Sequence, residues 1–359
     1  MSETPTDGPL GDLRARLQEA LMLELSTIPP YATASYSIRQ EGQYDRSAPQ
    51  IVNAEPVEVI RQVMVEEMLH MVLAANVLNA VGGRPVMTDP AQVPRYPLAI
   101  LGGKGPTLRL RRFTPEQVRL FREVERAPEP ENIPRAKEGD YRTIGGFYIY
   151  VKSLLERACD ELGEGAVFTG DPARQVGPED YYGAGGHVIE VRDRATALEA
   201  LTEIMEEGEG AHLGETAGDG DAVPGPEGED REDIAHFFKF DEILHSRYYH
   251  AADRLGSPPT GPDLAVDWAA VWPMVDDPGG ERFADPQVRA LSDGFNALYA
   301  ELLTGLEAAF NGERERLRAL VPLMLRMKDA AQKLMRVPLD APDGETAGPT
   351  WEFRGPAAS

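Results

Sequence analysis

Hydrophobic positions recur every third or fourth residue along most of the chain and almost nowhere at every second. Leu13, Leu17, Leu21, Leu25 and Ile28 form one such stripe and predict an amphipathic helix over residues 10–28. Pro29 and Pro30 are expected to interrupt or kink it, with YATASYSIRQ continuing past the kink. A second helix is predicted over 57–81 and ended by Gly82–Gly83. Residues 84–112, rich in proline and glycine, read as a long connection with room for a short hairpin. Thr114-Pro115-Glu116 starts another helix, since proline is tolerated in a first turn. Thr143 to Leu162 predicts a third core helix, with Phe147, Val151, Leu154 and Ala158 on one face. Residues 163–195 look irregular, and a fourth helix runs from Ala197 to about Gly210. After the polar loop GETAGDGDAVPGPEGED, a fifth is predicted over 231–254. Two more follow, over 286–311 and 313–336, before a Pro/Gly-rich tail from Val337. The class is all-α. A helical bundle with insertions is expected over 1–254, and a C-terminal helical extension over 255–359 packs on it within one domain.

Composition narrows the function. The 359 residues include 36 basic and 60 acidic side chains, a net charge of −24. Binding to nucleic acid or to an anionic membrane needs a basic surface, so neither is expected. The single cysteine, Cys159, rules out an intramolecular disulfide and a thiolate metal cluster, and it reads as a core residue. MSETPTDGPL has no basic, apolar leader pattern, and no run of about 18 apolar residues is evident. A cytoplasmic protein is the expectation.

Some charged residues fall where charge is costly. Glu24 lies on the apolar stripe of the first helix, three residues after Leu21 and four before Ile28. A carboxylate there needs a partner or a cation. On the second helix Ile60, Val63, Glu67, His70, Ala74 and Leu78 step by three or four, so Glu67 and His70 share the buried face. Glu66, about 100° away, reads as a solvent residue. Glu-x-x-His is the spacing by which one helix gives an oxygen and a nitrogen to a carboxylate-bridged metal pair. The third helix offers no ligand, because Glu156 faces away and Glu161 is marginal. On the fourth, Leu198, Leu201 and Met205 define a face that carries Glu209, with Glu206 off to one side and His212 three residues on. Gly208 and Gly210 beside Glu209 suggest close backbone approach or the helix end. The fifth helix holds both Asp233-x-x-His236 and Glu242-x-x-His245, and periodicity does not choose between the histidines. His187 and His250 read as surface residues. Tyr31, Tyr36 and Tyr148 are candidates for lining a pocket.

The segments LQEALMLELSTIPPYATASYSI, EEMLHMVLAANVLNAVGGRP, TIGGFY, VIEVRDRATALEALTEIMEEGEG, HFFKFDEI, PLMLRMKDAAQKLMRVPL and AGPTWEFR run in order from residue 17 to 354. This pattern resembles the ferritin-like family of the iminophenyl-pyruvate dimer synthases of violacein and chromopyrrolate biosynthesis, as a stand-alone ferritin-like member. The resemblance implies a ferritin-like four-helix bundle with a metal site. It supports Glu24, Glu67 and His70 as ligands, favours Glu209 with Glu206 close by, and favours His236 over His245. Gly146 in TIGGFY stands where relatives carry a carboxylate, and His212 has no usual counterpart.

The leading expectation is an oxidative enzyme with one or two non-haem irons, acting with dioxygen on a small biosynthetic intermediate such as an amino-acid-derived imine. Carboxylates plus imidazole suit iron or manganese. The alternatives are a metal-assisted condensing or cyclising enzyme without net oxidation, and a metal-binding or structural protein without catalysis. A homodimer fits either enzyme; the long insertions argue against a storage cage.

Overall fold

The computed structural model describes residues 8–39, 53–181, 186–209, 234–250, 252–340 and 344–354. Helix α1 (Pro9–Ser37) packs along α2 (Ala54–Ala80) and against α4 (Ile144–Leu162). Helix α5 (Arg194–Glu209) packs on α4 and α2, which closes a four-helix bundle. Between α2 and α4 lie a two-residue hairpin, β1 (Leu98–Ala99) with β2 (Thr107–Leu108), and α3 (Pro115–Val124). Helix α6 (His236–His245) packs mainly on α3 and also touches α2 and α5. Helices α7 (Pro286–Phe310) and α8 (Arg316–Met335) pair with each other, α8 lying on α1 and α7 on α2.

The expected break at Pro29–Pro30 does not occur, and α1 runs through both prolines. Pro30 has no N–H to offer the Ser26 carbonyl four residues back. The Tyr96 hydroxyl, from the long connection, donates to that carbonyl instead at 2.7 Å. A neighbour thus replaces the missing bond and the helix continues. At the end of α2, Gly82 adopts φ 74°, and the Gly83 N–H donates to the Leu78 carbonyl at 2.8 Å, a left-handed cap. Helix α4 starts one residue later than expected because Thr143 caps it, its hydroxyl accepting from the Gly146 N–H.

The fifth predicted helix is too long. Helix α6 stops at His245, where Ser246 takes a left-handed φ of 53°. Arg247 then pairs with Asp263, and the Glu242 carboxylate accepts from the Tyr249 N–H. Polar groups of α6 itself turn the chain away.

Among the described residues, α2 is the one helix long and apolar enough by length and composition to cross a membrane. Its apolar stretch is 89% buried inside the protein, because α1, α5 and α6 surround it. It is the central helix of the core.

Candidate metal centre

Helices α1 and α2 face each other across the bundle, and their stripes bring Glu24, Glu67 and His70 together, all 2% exposed or less. Two donor groups result. Glu24, Glu67 and His70 form one and Glu67, Glu125 and His236 the other; in each, the ligand-type atoms lie within 4.8 Å of one another. Glu67 belongs to both, so the arrangement has the form of a paired site bridged by one carboxylate. The two imidazole rings lie 5.5 Å apart and roughly parallel.

Each donor is held by a neighbour. Glu24 accepts from the Tyr148 hydroxyl, and Glu125 accepts from the Tyr31 hydroxyl. Thr27 donates to Glu67 Oε2 at 2.8 Å. His70 Nε2 lies 3.0 Å from Glu207, which leaves Nδ1 facing Glu24 at 3.5 Å. His236 repeats the pattern. Its Nε2 bonds Glu66 at 2.8 Å, while Nδ1 lies 3.0 Å from Glu67 and 3.5 Å from Glu125. A carboxylate on the far ring nitrogen fixes tautomer and ring orientation, the usual support of a metal-ligating histidine.

The charges match a site built for a cation. Burial, reinforced by the Glu125 and Glu24 carboxylates, pushes the Glu67 carboxyl up to about 7 against the pull of His236. Burial pulls the His70 imidazole down, but Glu207 and Glu24 outweigh it and raise it to about 10. His236 rises well above its ordinary range in the same way, burial opposing Glu125, Glu66 and Glu67. Protons therefore neutralise this cluster without a cation. His236 Nδ1 is also buried with no properly angled hydrogen bond, although two carboxylates flank it. A ring nitrogen set among carboxylates, off hydrogen-bond geometry, suits a cation shared with them once its proton is displaced. The donor set thus fits a hard metal ion.

One reading of the site residues needs correction. Glu66 is not a solvent residue: it is 5% exposed and holds both His236 and the buried Lys239, whose Nζ lies 2.6 Å from each Glu66 oxygen. Helix α6 covers that face of α2. Glu206 is half-buried and acts on Lys152 of α4, whereas Glu207, one residue on, reaches His70. Glu209 closes α5, and its side chain lies outside the described residues, as does His212. His245 is 41% exposed beside Asp241, so His236 is the histidine that joins the cluster. Tyr31 and Tyr148 hold carboxylates, and Tyr36 lines a separate cavity. His187 and His250 are exposed.

Glu125 was not anticipated. It follows the last residue of α3, in the polar run REVERAPEP, yet it is 2% exposed. Its signal is present: Val118, Phe121 and Glu125 step by three and four, so Glu125 sits on the apolar stripe of α3. Gly208 shows close approach. A Cβ there would lie 3.8 Å from Glu125 Oε2 and 4.0 Å from His70 Cε1, so α5 presents bare backbone to the donors. Gly146 stands in the first turn of α4, and that helix gives the centre a tyrosine hydroxyl in place of a carboxylate.

A long-helix bundle with buried Glu and Glu-x-x-His donors defines the carboxylate-bridged, metal-binding class of bundles. The ferritin-like family model matches residues 17–245, and the chain belongs to the ferritin-like family. The crystal structure of a ferritin-like protein from Caulobacter vibrioides aligns with a TM-score of 0.57 at 20% identity, over 94% of this chain and 97% of that one. That likeness shows a common fold. No curated protein sequence matches the chain.

Proposed function

We propose that the chain is a non-haem iron enzyme, with two irons sharing Glu67, that uses dioxygen to oxidise a small biosynthetic intermediate. The resemblance to the dimer synthases makes an amino-acid-derived imine the favoured substrate class. The observation that carries the reading is the pair of donor groups that meet at Glu67. Glu24, Glu67 and His70 would hold one ion, and Glu67, Glu125 and His236 the other. Buried oxygen and imidazole donors without a thiolate favour iron, with manganese next.

When bound, iron would activate dioxygen and pass it the electrons that the substrate gives up on oxidation. The protein's own part is positioning. Glu207 and Glu66 keep a proton on each far histidine nitrogen, so that each Nδ1 is free to ligate. Tyr148, Tyr31 and Thr27 each hold one carboxylate oxygen and orient the other. The bare backbone at Gly208 leaves room over the donors. The apolar shell of Leu21, Val63 and Phe121 keeps the surroundings dry.

Metal analysis of protein purified from iron-supplemented cells tests this. Two irons per chain are expected. Less than about half an equivalent of iron, with no other metal, overturns it, since a site this buried should retain its ion. A second measurement tests the oxidation. Anaerobically loaded ferrous protein should be re-oxidised by dioxygen at a rate that changes with an added imine or enamine amino-acid derivative. A rate indifferent to every such compound would leave metal binding standing and remove the enzymatic reading.

A further inference from the structure

Helices α1 and α2 have a second functional-looking face. Turned away from Glu24, Thr27 and Glu67, residues Leu25, Ile28, Met68 and Met71 wall a cavity of about 380 Å³, closed on its far side by α7 and α8. That size lies in the range of small-molecule pockets, about 300–1,000 Å³. Glu24 and Leu25 are neighbours in sequence but point about 100° apart, so the helix pair itself separates this cavity from the metal centre.

Three features of the lining specify a ligand. Tyr299 is 1% exposed, its ring packed edge-on against Trp351 at 5.2 Å, and its buried hydroxyl has no hydrogen-bond partner among the described residues. A buried donor without a partner is unfavourable, so it marks a place for an acceptor from outside the chain. Among the described residues, the lining also includes two cations, Arg61 and the half-buried Lys328, and no acidic side chain, in a chain with 60 acids and 36 bases. Arg61 stands at the mouth, paired with Glu58. The rest of the wall is almost wholly aliphatic, thioether or aromatic.

We propose that this cavity is a binding site for an aliphatic carboxylate of medium chain length, its chain against the methionine and leucine wall and its carboxylate served by Tyr299 and Lys328. The site is independent of the metal centre and of the reaction proposed there.

Sodium dodecanoate below its micelle concentration is the probe, titrated into the metal-free full-length chain and followed by calorimetry and tryptophan fluorescence. One saturable site per chain is expected, with dodecanol at least about tenfold weaker, the effect of losing a charge-assisted hydrogen bond. Tyr299→Phe should weaken dodecanoate by about five- to tenfold while leaving the ligand-free melting temperature the same or higher, because the lost hydroxyl had no partner among the described residues. Lys328→Glu should weaken dodecanoate and spare dodecanol. Leu306→Trp, which fills the cavity, should abolish both without loss of helical circular dichroism. The proposal is overturned by absence of saturable binding, by equal affinity for dodecanol, or by a lower ligand-free melting temperature in Tyr299→Phe. It is equally overturned if dodecanoate fails to bind and sedimentation shows a dimer that Leu325→Glu dissociates, for then a second copy covers this face.

Discussion

Glu66 offers the sharpest test of how the centre is built, because it holds two different cations at once. Its oxygens lie 2.6 Å from Lys239 Nζ, and Oε2 lies 2.8 Å from His236 Nε2. Lys239 is 3% exposed. Glu66→Leu therefore takes away the carboxylate whose two oxygens both meet a buried ammonium, and breaking such a pair costs about 3–5 kcal/mol. Against a total of about 5–15 kcal/mol for a typical domain, that is a large share. The same substitution frees the His236 ring from the carboxylate that orients it, and loss of such support lowers metal affinity about 10–100-fold.

The two effects separate in the double variant. Glu66→Leu with Lys239→Met removes both charges and replaces them with apolar volume, so stability should return to within about 1–2 kcal/mol of the parent. Metal affinity should stay low, because His236 is still unsupported. Urea unfolding of the metal-free protein reads the first effect and competitive metal titration the second. If the double variant binds metal as tightly as the parent, Glu66 does not orient His236. If Glu66→Leu alone unfolds at the parental urea midpoint, the pair with Lys239 carries no stability. Either result would refute the reasoning.

Glu125→Gln keeps an acceptor for Tyr31 but removes a ligand charge; calorimetry should show one metal per chain where the parent binds two. Gly208→Leu should abolish metal binding with little change in helix content, while Gly208→Ala, which meets only ordinary van der Waals contacts, should bind normally. Tyr96→Phe leaves the Ser26 carbonyl without a donor and should cost about 1–3 kcal/mol in urea unfolding. In the metal-free protein Glu67, His70 and His236 all hold protons more tightly than in the unfolded chain. Their stabilisation is therefore complete below the unfolded values, is lost from Glu67 as pH rises to about 7, and is lost from His70 as it rises to about 10. Metal binding must displace the same protons, so the gain in melting temperature on loading should grow from pH 6 to pH 8; a constant gain would contradict the assigned protonation.

The residues visible in the sequence share one property. Glu24, Glu67 and His70 lie on long stripes of a single period, where a charged side chain is conspicuous. The stripe test assumes a helix with one buried face, and α2 has more than one. Its Glu67 face meets α1 and its Glu66 face meets α6, so the residue that looked solvated supports the site instead. The same limit explains α1 at Pro29–Pro30. The rule that proline breaks a helix holds for the local chain, and Tyr96, 70 residues away in sequence, cancels it. Glu125 failed for another reason: α3 is a short helix, and the acids and arginines around its end hide a three-residue stripe. Helix identity was thus legible from local pattern, whereas ligand identity depended on which helix covers which face. The centre follows from that covering. Among the described side chains of the fourth core helix, Gly208 faces the donors and Glu207 reaches only the far nitrogen of His70, and α3 supplies the further carboxylate through Glu125.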